Sequence, residues 1–225
     1  MKKTLMALSA IAAISMGAAN AAPVLLFEDD FDTEATGGNE LLDKFDIIRG
    51  LIDLLGPGYF DLYPGTGGSV DLDGSAGSAT IVTKDQFALA PGTYTLSFDL
   101  GMNAGYSPSA RTVQSELEVS FGDWSKTYDV DEIYYANPDS VITSSYLTTR
   151  PVFTRIVESF SVSETGLSSL VFAELGVTDL FGAVVDNIRL EFVPGEGDAV
   201  PLPGAALFLL SGLGAVGVAR KKARG

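Results

Sequence analysis

Gly92-Thr93-Tyr94-Thr95-Leu96-Ser97-Phe98-Asp99-Leu100 alternates without interruption between apolar and polar side chains. Tyr94, Leu96, Phe98 and Leu100 fall on one side of an extended chain, and Thr93, Thr95, Ser97 and Asp99 on the other. A strand with one buried face needs this two-residue period, and aromatic and β-branched residues suit it. Pro91-Gly92 supplies the turn in front. The same pattern recurs on both sides. Thr80-Ile81-Val82-Thr83 precedes it, and Glu116-Leu117-Glu118-Val119-Ser120-Phe121, closed by Gly122-Asp123, follows it. Phe153 to Val162, Ser169 to Glu174 and Ala183 to Phe192 read as further strands. Many short strands punctuated by Gly and Pro predict an all-β chain folded as a sandwich.

Asn39 to Leu55 fits two templates. Leu41, Leu42, Phe45, Ile48, Ile52 and Leu55 make a helical stripe, yet Gly50, Gly56, Pro57 and Gly58 punctuate it. Leu51 to Leu55 equally fits a buried strand, and periodicity alone does not separate the two.

Composition narrows the chemistry. All 29 acidic residues lie between Ala22 and Ala199, while six of the 14 basic residues sit at the two ends. The 8 basic residues left against 29 acidic ones give that stretch a net charge of −21. Nucleic acid and anionic membrane surfaces are poor partners for such a charge. Cations, calcium above all, suit it, although simple solvation of an exported protein explains it as well. The chain has no Cys and no His. Without them there is no disulfide, no Ser-His-Asp or Cys-His chemistry and no usual zinc site. Paired carboxylates remain, as in glycosidases, but among 29 acids some pair always falls at that spacing.

The ends read as targeting signals. Lys2 and Lys3, an apolar run from Leu5 to Met16, and Ala19-Asn20-Ala21 form a secretory signal peptide cleaved after Ala21. At the other end stand Val200-Pro201-Leu202-Pro203-Gly204, an uncharged span to Ala219, and Arg220, Lys221, Lys222 and Arg224. A helix over that span is just long enough to cross a membrane, with the basic cluster on the cytoplasmic side. The plain alternative is an unprocessed C-terminal anchor. This three-part tail resembles the PEP-CTERM sorting signal of Gram-negative bacteria in its Val-Pro-Leu-Pro variant. The resemblance implies transient anchoring in the inner membrane, cutting near the Pro motif by an exosortase, and transfer to the cell surface or medium.

The segment between resembles a jelly-roll domain common in PEP-CTERM proteins, related to carbohydrate-binding and galactose-binding-like sandwiches. The matching stretches are Phe27 to Asp32, Gly58 to Asp61 with Pro64-Gly65, Val70 to Ser75, Leu89 to Leu100 and Phe181 to Ile188. That pattern makes Leu51 to Leu55 a strand, and Tyr128 to Arg150 departs from it as a long insertion. The expected organisation is a signal peptide (1–21), a jelly-roll β-sandwich (22–193), a linker (194–199) and a sorting tail (200–225). Within the tail the span covers about 203–219 and the basic stop 220–224. A helix is expected at each end of the chain.

The resemblance implies a structural calcium between the first and last strands, held at Glu28, Asp30 and Asp186. A solvated acidic start and a local Asp186-Asn187 turn are the plain alternatives. Asp71 and Asp73 lie on one side of a strand and are placed to share an ion, but a strand ending in an Asp-Gly turn accounts for them too. Trp124, Tyr128, Tyr134 and Tyr135, with Tyr146, are the densest set of Trp and Tyr in the chain. Aromatic faces beside polar groups suit sugars, and capping of a sandwich edge is the alternative. The expected function is an exported, non-catalytic domain that binds polysaccharide, such as exopolysaccharide. A structural biofilm-matrix protein with no discrete ligand, or a glycan hydrolase, are the other readings.

Overall fold

The computed structural model describes residues 22–74, 77–103, 115–137, 139, 152–163, 165–176 and 182–195. The expected signal peptide, with Ala19 and Ala21, lies outside these residues, as do the expected sorting tail and most of the expected insertion, Tyr146 included. No helix among the described residues is long and apolar enough to cross a membrane.

In chain order the elements are β1 (Val24–Asp29), β2 (Gly37–Gly38), β3 (Phe45–Arg49), β4 (Asp53–Leu55), β5 (Ser69–Asp71), β6 (Thr80–Thr83), β7 (Phe87–Leu89), β8 (Gly92–Met102), β9 (Glu116–Phe121), β10 (Trp124–Asp129), α1 (Val130–Ala136), β11 (Thr154–Val162), β12 (Gly166–Ser168), β13 (Val171–Glu174) and β14 (Ala183–Pro194). One sheet runs β11-β8-β14-β5-β4-β2, with β1 also paired to β14; the other runs β10-β9-β13-β6-β3. β12 and β7 form a small separate pair. The ladders are antiparallel, and the chain passes repeatedly from one sheet to the other. The result is the expected all-β sandwich.

β8 supplies the middle of the core. Tyr94, Leu96, Phe98, Leu100 and Met102 are all at most 2% exposed. They meet Leu117, Val119 and Phe121 of β9 and Phe172 of β13 in one cluster. The Phe98 ring stands edge-on to Tyr128 at 5.6 Å and to Phe172 at 5.3 Å. Burying each such ring removes apolar surface worth roughly 1.5–3 kcal/mol.

The 39–55 ambiguity resolves to strand. Asp53, Leu54 and Leu55 are all buried because both faces of β4 are covered. Leu54 joins the main core, and Leu55 packs with Tyr63 and Val184 on the other face. β9 and β10 meet in a two-residue loop that opens with Gly122 at φ +62°, a conformation glycine adopts without strain. The sequence reading did not anticipate α1. Asp129 caps it by accepting the Glu132 N–H at 2.9 Å, and Asp131 and Glu132 occupy its first turn. Seven residues are too few to display a helical period.

Candidate binding cleft

The site begins with an irregularity in β14. One edge of this strand pairs with β8 throughout, while the other changes partner, from β5 at Val184 and Val185 to β1 from Ile188 onward. At the change-over the register against β8 slips by one residue, with Asp186 opposite Asp99 but Arg189 opposite Ser97. This is a β-bulge, and Asn187 absorbs it at φ +50°, a region Asn tolerates better than most residues. The Asn187 side chain donates to Asp99 Oδ2 at 2.9 Å and to Asp186 Oδ2 at 3.1 Å, and its backbone N–H donates to Asp186 Oδ1 at 2.6 Å.

Asp186 is fully buried. Burial is the main force pushing its carboxyl up to about 7; the Asn187 N–H opposes this, and the nearby carboxylates of Asp99, Asp32 and Asp30 add to it. Asp30 and Asp32 arrive with the chain as it leaves β1. There Asp29 Oδ1 accepts the Phe31 N–H at 3.4 Å, Asp30 Oδ1 the Asp32 N–H at 3.2 Å, and Asp32 Oδ1 the Gly68 N–H at 2.9 Å. A Cβ on Gly68 would lie 2.4 Å from the Phe31 carbonyl oxygen, so only glycine lets the two segments approach this closely.

Three cations close the site. Arg155 of β11 donates to Asp99 Oδ1 at 3.0 Å, to the Asn187 carbonyl at 3.0 Å and to Ser97 Oγ at 2.8 Å. Arg189 of β14 donates to Glu28 Oε2 at 2.9 Å and to Glu191 Oε1 at 2.7 Å. Lys44, just before β3, donates to the Glu28 carbonyl at 2.7 Å and lies 3.4 Å from Asp29 Oδ1. Lys44, Arg155 and Arg189, with Glu28, Asp29, Asp30, Asn187 and Ile188, line an open cleft of about 300 Å³. Asp29, 6% exposed, lines it, and its Oδ2 has no hydrogen-bond partner. Burial raises the Asp29 carboxyl against the pull of Lys44.

The expected metal ligands are thus split. Asp30 and Asp186 belong to one electrostatic neighbourhood, joined by Asp32 and Asp99, whereas Glu28 is turned to Arg189. Among the described residues no three acidic side chains form a metal-holding group. Asp71 and Asp73, both buried, lie in another part of the fold. Asp71 Oδ1 accepts the Asp73 N–H at 3.0 Å, a turn at the end of β5, and Oδ2 accepts from Asn103 Nδ2 at 2.7 Å.

The four aromatic residues expected to face sugar do not form one platform. Trp124 is half-buried and stacks on Phe160 at 4.1 Å. Tyr128 and Tyr134 are core side chains, 5% and 2% exposed, and burial pushes both hydroxyls up, the Glu158 carboxylate adding to this at Tyr128. Tyr135 alone has a largely open ring. Trp124 opens β10 while Tyr134 and Tyr135 lie beyond its far end, about 20 Å along an extended chain at ~3.4 Å per residue. The alternation that marked these residues as strand or turn carries no information about which rings the second sheet covers. Asp29, Lys44, Arg155, Asn187 and Arg189 were missed as cleft residues. The one available signal was the polar Asp186-Asn187 pair inside an otherwise apolar strand.

No protein-family model matches the chain, and comparison with curated proteins finds no relative. Comparison with solved structures finds sandwich folds of low identity. A family 35 carbohydrate-binding module from Clostridium thermocellum is 14% identical over 76% of this chain and 98% of its own, with a TM-score of 0.36. A carbohydrate-binding module described as recognising mannan is 14% identical over 76% and 99%, with a TM-score of 0.41. The mosquito-larvicidal Cry4Aa toxin of Bacillus thuringiensis is 14% identical over 71% of this chain, with a TM-score of 0.36, and the chain spans 22% of its length. Likeness at this level carries no argument about ligand.

Proposed function

We propose that the chain is an exported, non-catalytic polysaccharide-binding protein, held by its C-terminal tail in the inner membrane until an exosortase-type enzyme processes it. The Pro201 and Pro203 motif, the uncharged span and the Arg220, Lys221 and Lys222 stop support the sorting part. The observation that carries the binding part is the cleft at the β14 bulge, a concave site lined by charged and polar residues of β1, β11 and β14. An exported protein meets exopolysaccharide outside the cell, and this is the partner we propose.

Calcium belongs to the same proposal. Asp30, Asp32 and Asp99 lie within electrostatic reach of Asp186 near where β1 and β14 meet, and hard oxygen ligands suit that ion. An ion there would tie the first strand to the last. The burial of Tyr128 and Tyr134 favours a second reading, a structural matrix protein whose aromatic residues only pack its core.

Equilibrium binding of the full chain to the producer's extracellular polysaccharide, with calcium and then with chelator, tests this. Saturable binding, weaker in chelator, is the expected outcome. An intact fold with no binding in either condition would move the assignment to the matrix role.

A further inference from the structure

We propose that the paired ends of β1 and β14 form an apolar tip that seats on the surface of the phospholipid bilayer in which the chain's own tail is held. The inference rests on the anchoring part of the reading above and adds a contact that a tether alone does not supply.

The strand register gathers the tip. Val24 of β1 lies opposite Phe192 of β14, and Phe192 lies opposite Tyr94 of β8 on its other side. Ala22, Pro23, Val24 and Leu25 are consecutive, apolar and exposed, Val24 at 50% and Leu25 at 40%. Beside them Phe192, Val193 and Pro194 are half-buried. Phe192 packs against the core with its ring 4.7 Å from Tyr94, and the Gly195 N–H donates to the Pro91 carbonyl at 3.3 Å. Single exposed apolar side chains are ordinary, but a run of them beside an apolar neighbouring strand marks a contact surface. Neighbours in a strand point to opposite faces, so Val24 and Leu25 present apolar groups on both sides of the sheet. A flat protein partner covers one side, whereas a bilayer surface surrounds a tip that enters it end-on.

Charge and chain length select the bilayer. Residues 22–27 and 192–195 carry no charge. The first acids inward, Glu28 and Glu191, are both held by Arg189, at 2.9 and 2.7 Å. The tip is thus an uncharged gap in a strongly acidic stretch. Glu196 and Asp198 follow it in the linker and oppose an anionic surface, so a zwitterionic one fits. The tail leaves from this same end. Pro203, where the expected span begins, is eight residues beyond Gly195, at most about 29 Å of extended chain. The headgroup layer takes up about 6 Å of that.

The test uses the exported chain, Ala22 onward with its tail intact, in phosphatidylcholine vesicles that carry a nitroxide lipid. The chain has no Cys, so Val24→Cys and Leu175→Cys each take one fluorescent label. Leu175, 46% exposed, bonds Glu116 at one end of β9, while Phe121 at the other end meets Tyr94 beside the tip. The label at position 24 is expected to be quenched at least threefold more than the label at 175. Twelve Gly/Ser residues inserted after Gly195 should leave that ratio standing, and Leu25→Asp should remove it. Equal quenching of the two labels overturns the tip, as does a ratio lost on lengthening the linker, which reports the tether alone. Disulfide-linked pairs of Val24→Cys chains without lipid quenching also overturn it, in favour of a contact between copies. In each of these cases flotation with the vesicles leaves the anchoring reading intact. A folded chain that does not float with the vesicles overturns both.

Discussion

At Asp71 a carboxyl that titrates near 3.8 in an open chain is enclosed at the end of β5 and pushed up to about 7. Desolvation is the main cause, Asn103 and the Asp73 N–H oppose it, and the charges of Asp53 and Asp73 add to it. The folded state therefore keeps a proton over a pH range in which the unfolded chain has released it. This contribution to stability is fully present below pH ~4 and is lost as pH rises to and through 7, at about 1.4 kcal/mol per unit of the gap. The urea midpoint is expected to fall between pH 4 and pH 8. Asp71→Asn is expected to flatten that fall, and an unchanged slope would acquit Asp71. The spacing of Asp71 and Asp73 is plain in the sequence. That both are enclosed depends on strands far away in the chain.

At the scale of elements, β8, β9, β11, β13 and β14 were readable to within two residues, because each shows a two-residue period over several positions. The bulge in β14 was not. It arises where the strand exchanges β5 for β1 as its neighbour, a property of pairing and not of the strand's own residues. Asn187 makes it feasible, at a positive φ that a β-branched residue adopts only with strain. Asn187→Val is expected to cost about 1–3 kcal/mol in denaturant unfolding, beyond which the bonds to Asp99 and Asp186 are also lost. Asn187→Gly accepts the backbone angle and loses only those bonds, so its cost is expected to be smaller. Equal costs would mean that the side-chain bonds, not the backbone angle, dominate.

At the scale of the whole molecule, the proposed sorting makes a direct prediction: the mature protein, recovered from cells that possess an exosortase, should lack the residues beyond Pro203. Intact-mass measurement decides this, and retention of Arg220 to Arg224 would make the tail a plain anchor. The strand periods, the −21 charge of the central stretch and the absence of Cys and His are properties of composition or of neighbouring residues, so the sequence by itself determined them. Which acids are buried, which rings are covered and where a cleft opens depend on pairings between residues as distant as Glu28 and Arg189. Alternation says which side chains share a face of a strand. Only the tertiary structure decided what covers that face: it placed Tyr134 in the core with Tyr135 beside it in the open, and set Asp29, Lys44, Arg155 and Arg189 around one cleft. The physical reason is that a period is local to the chain, whereas burial is the joint property of two sheets.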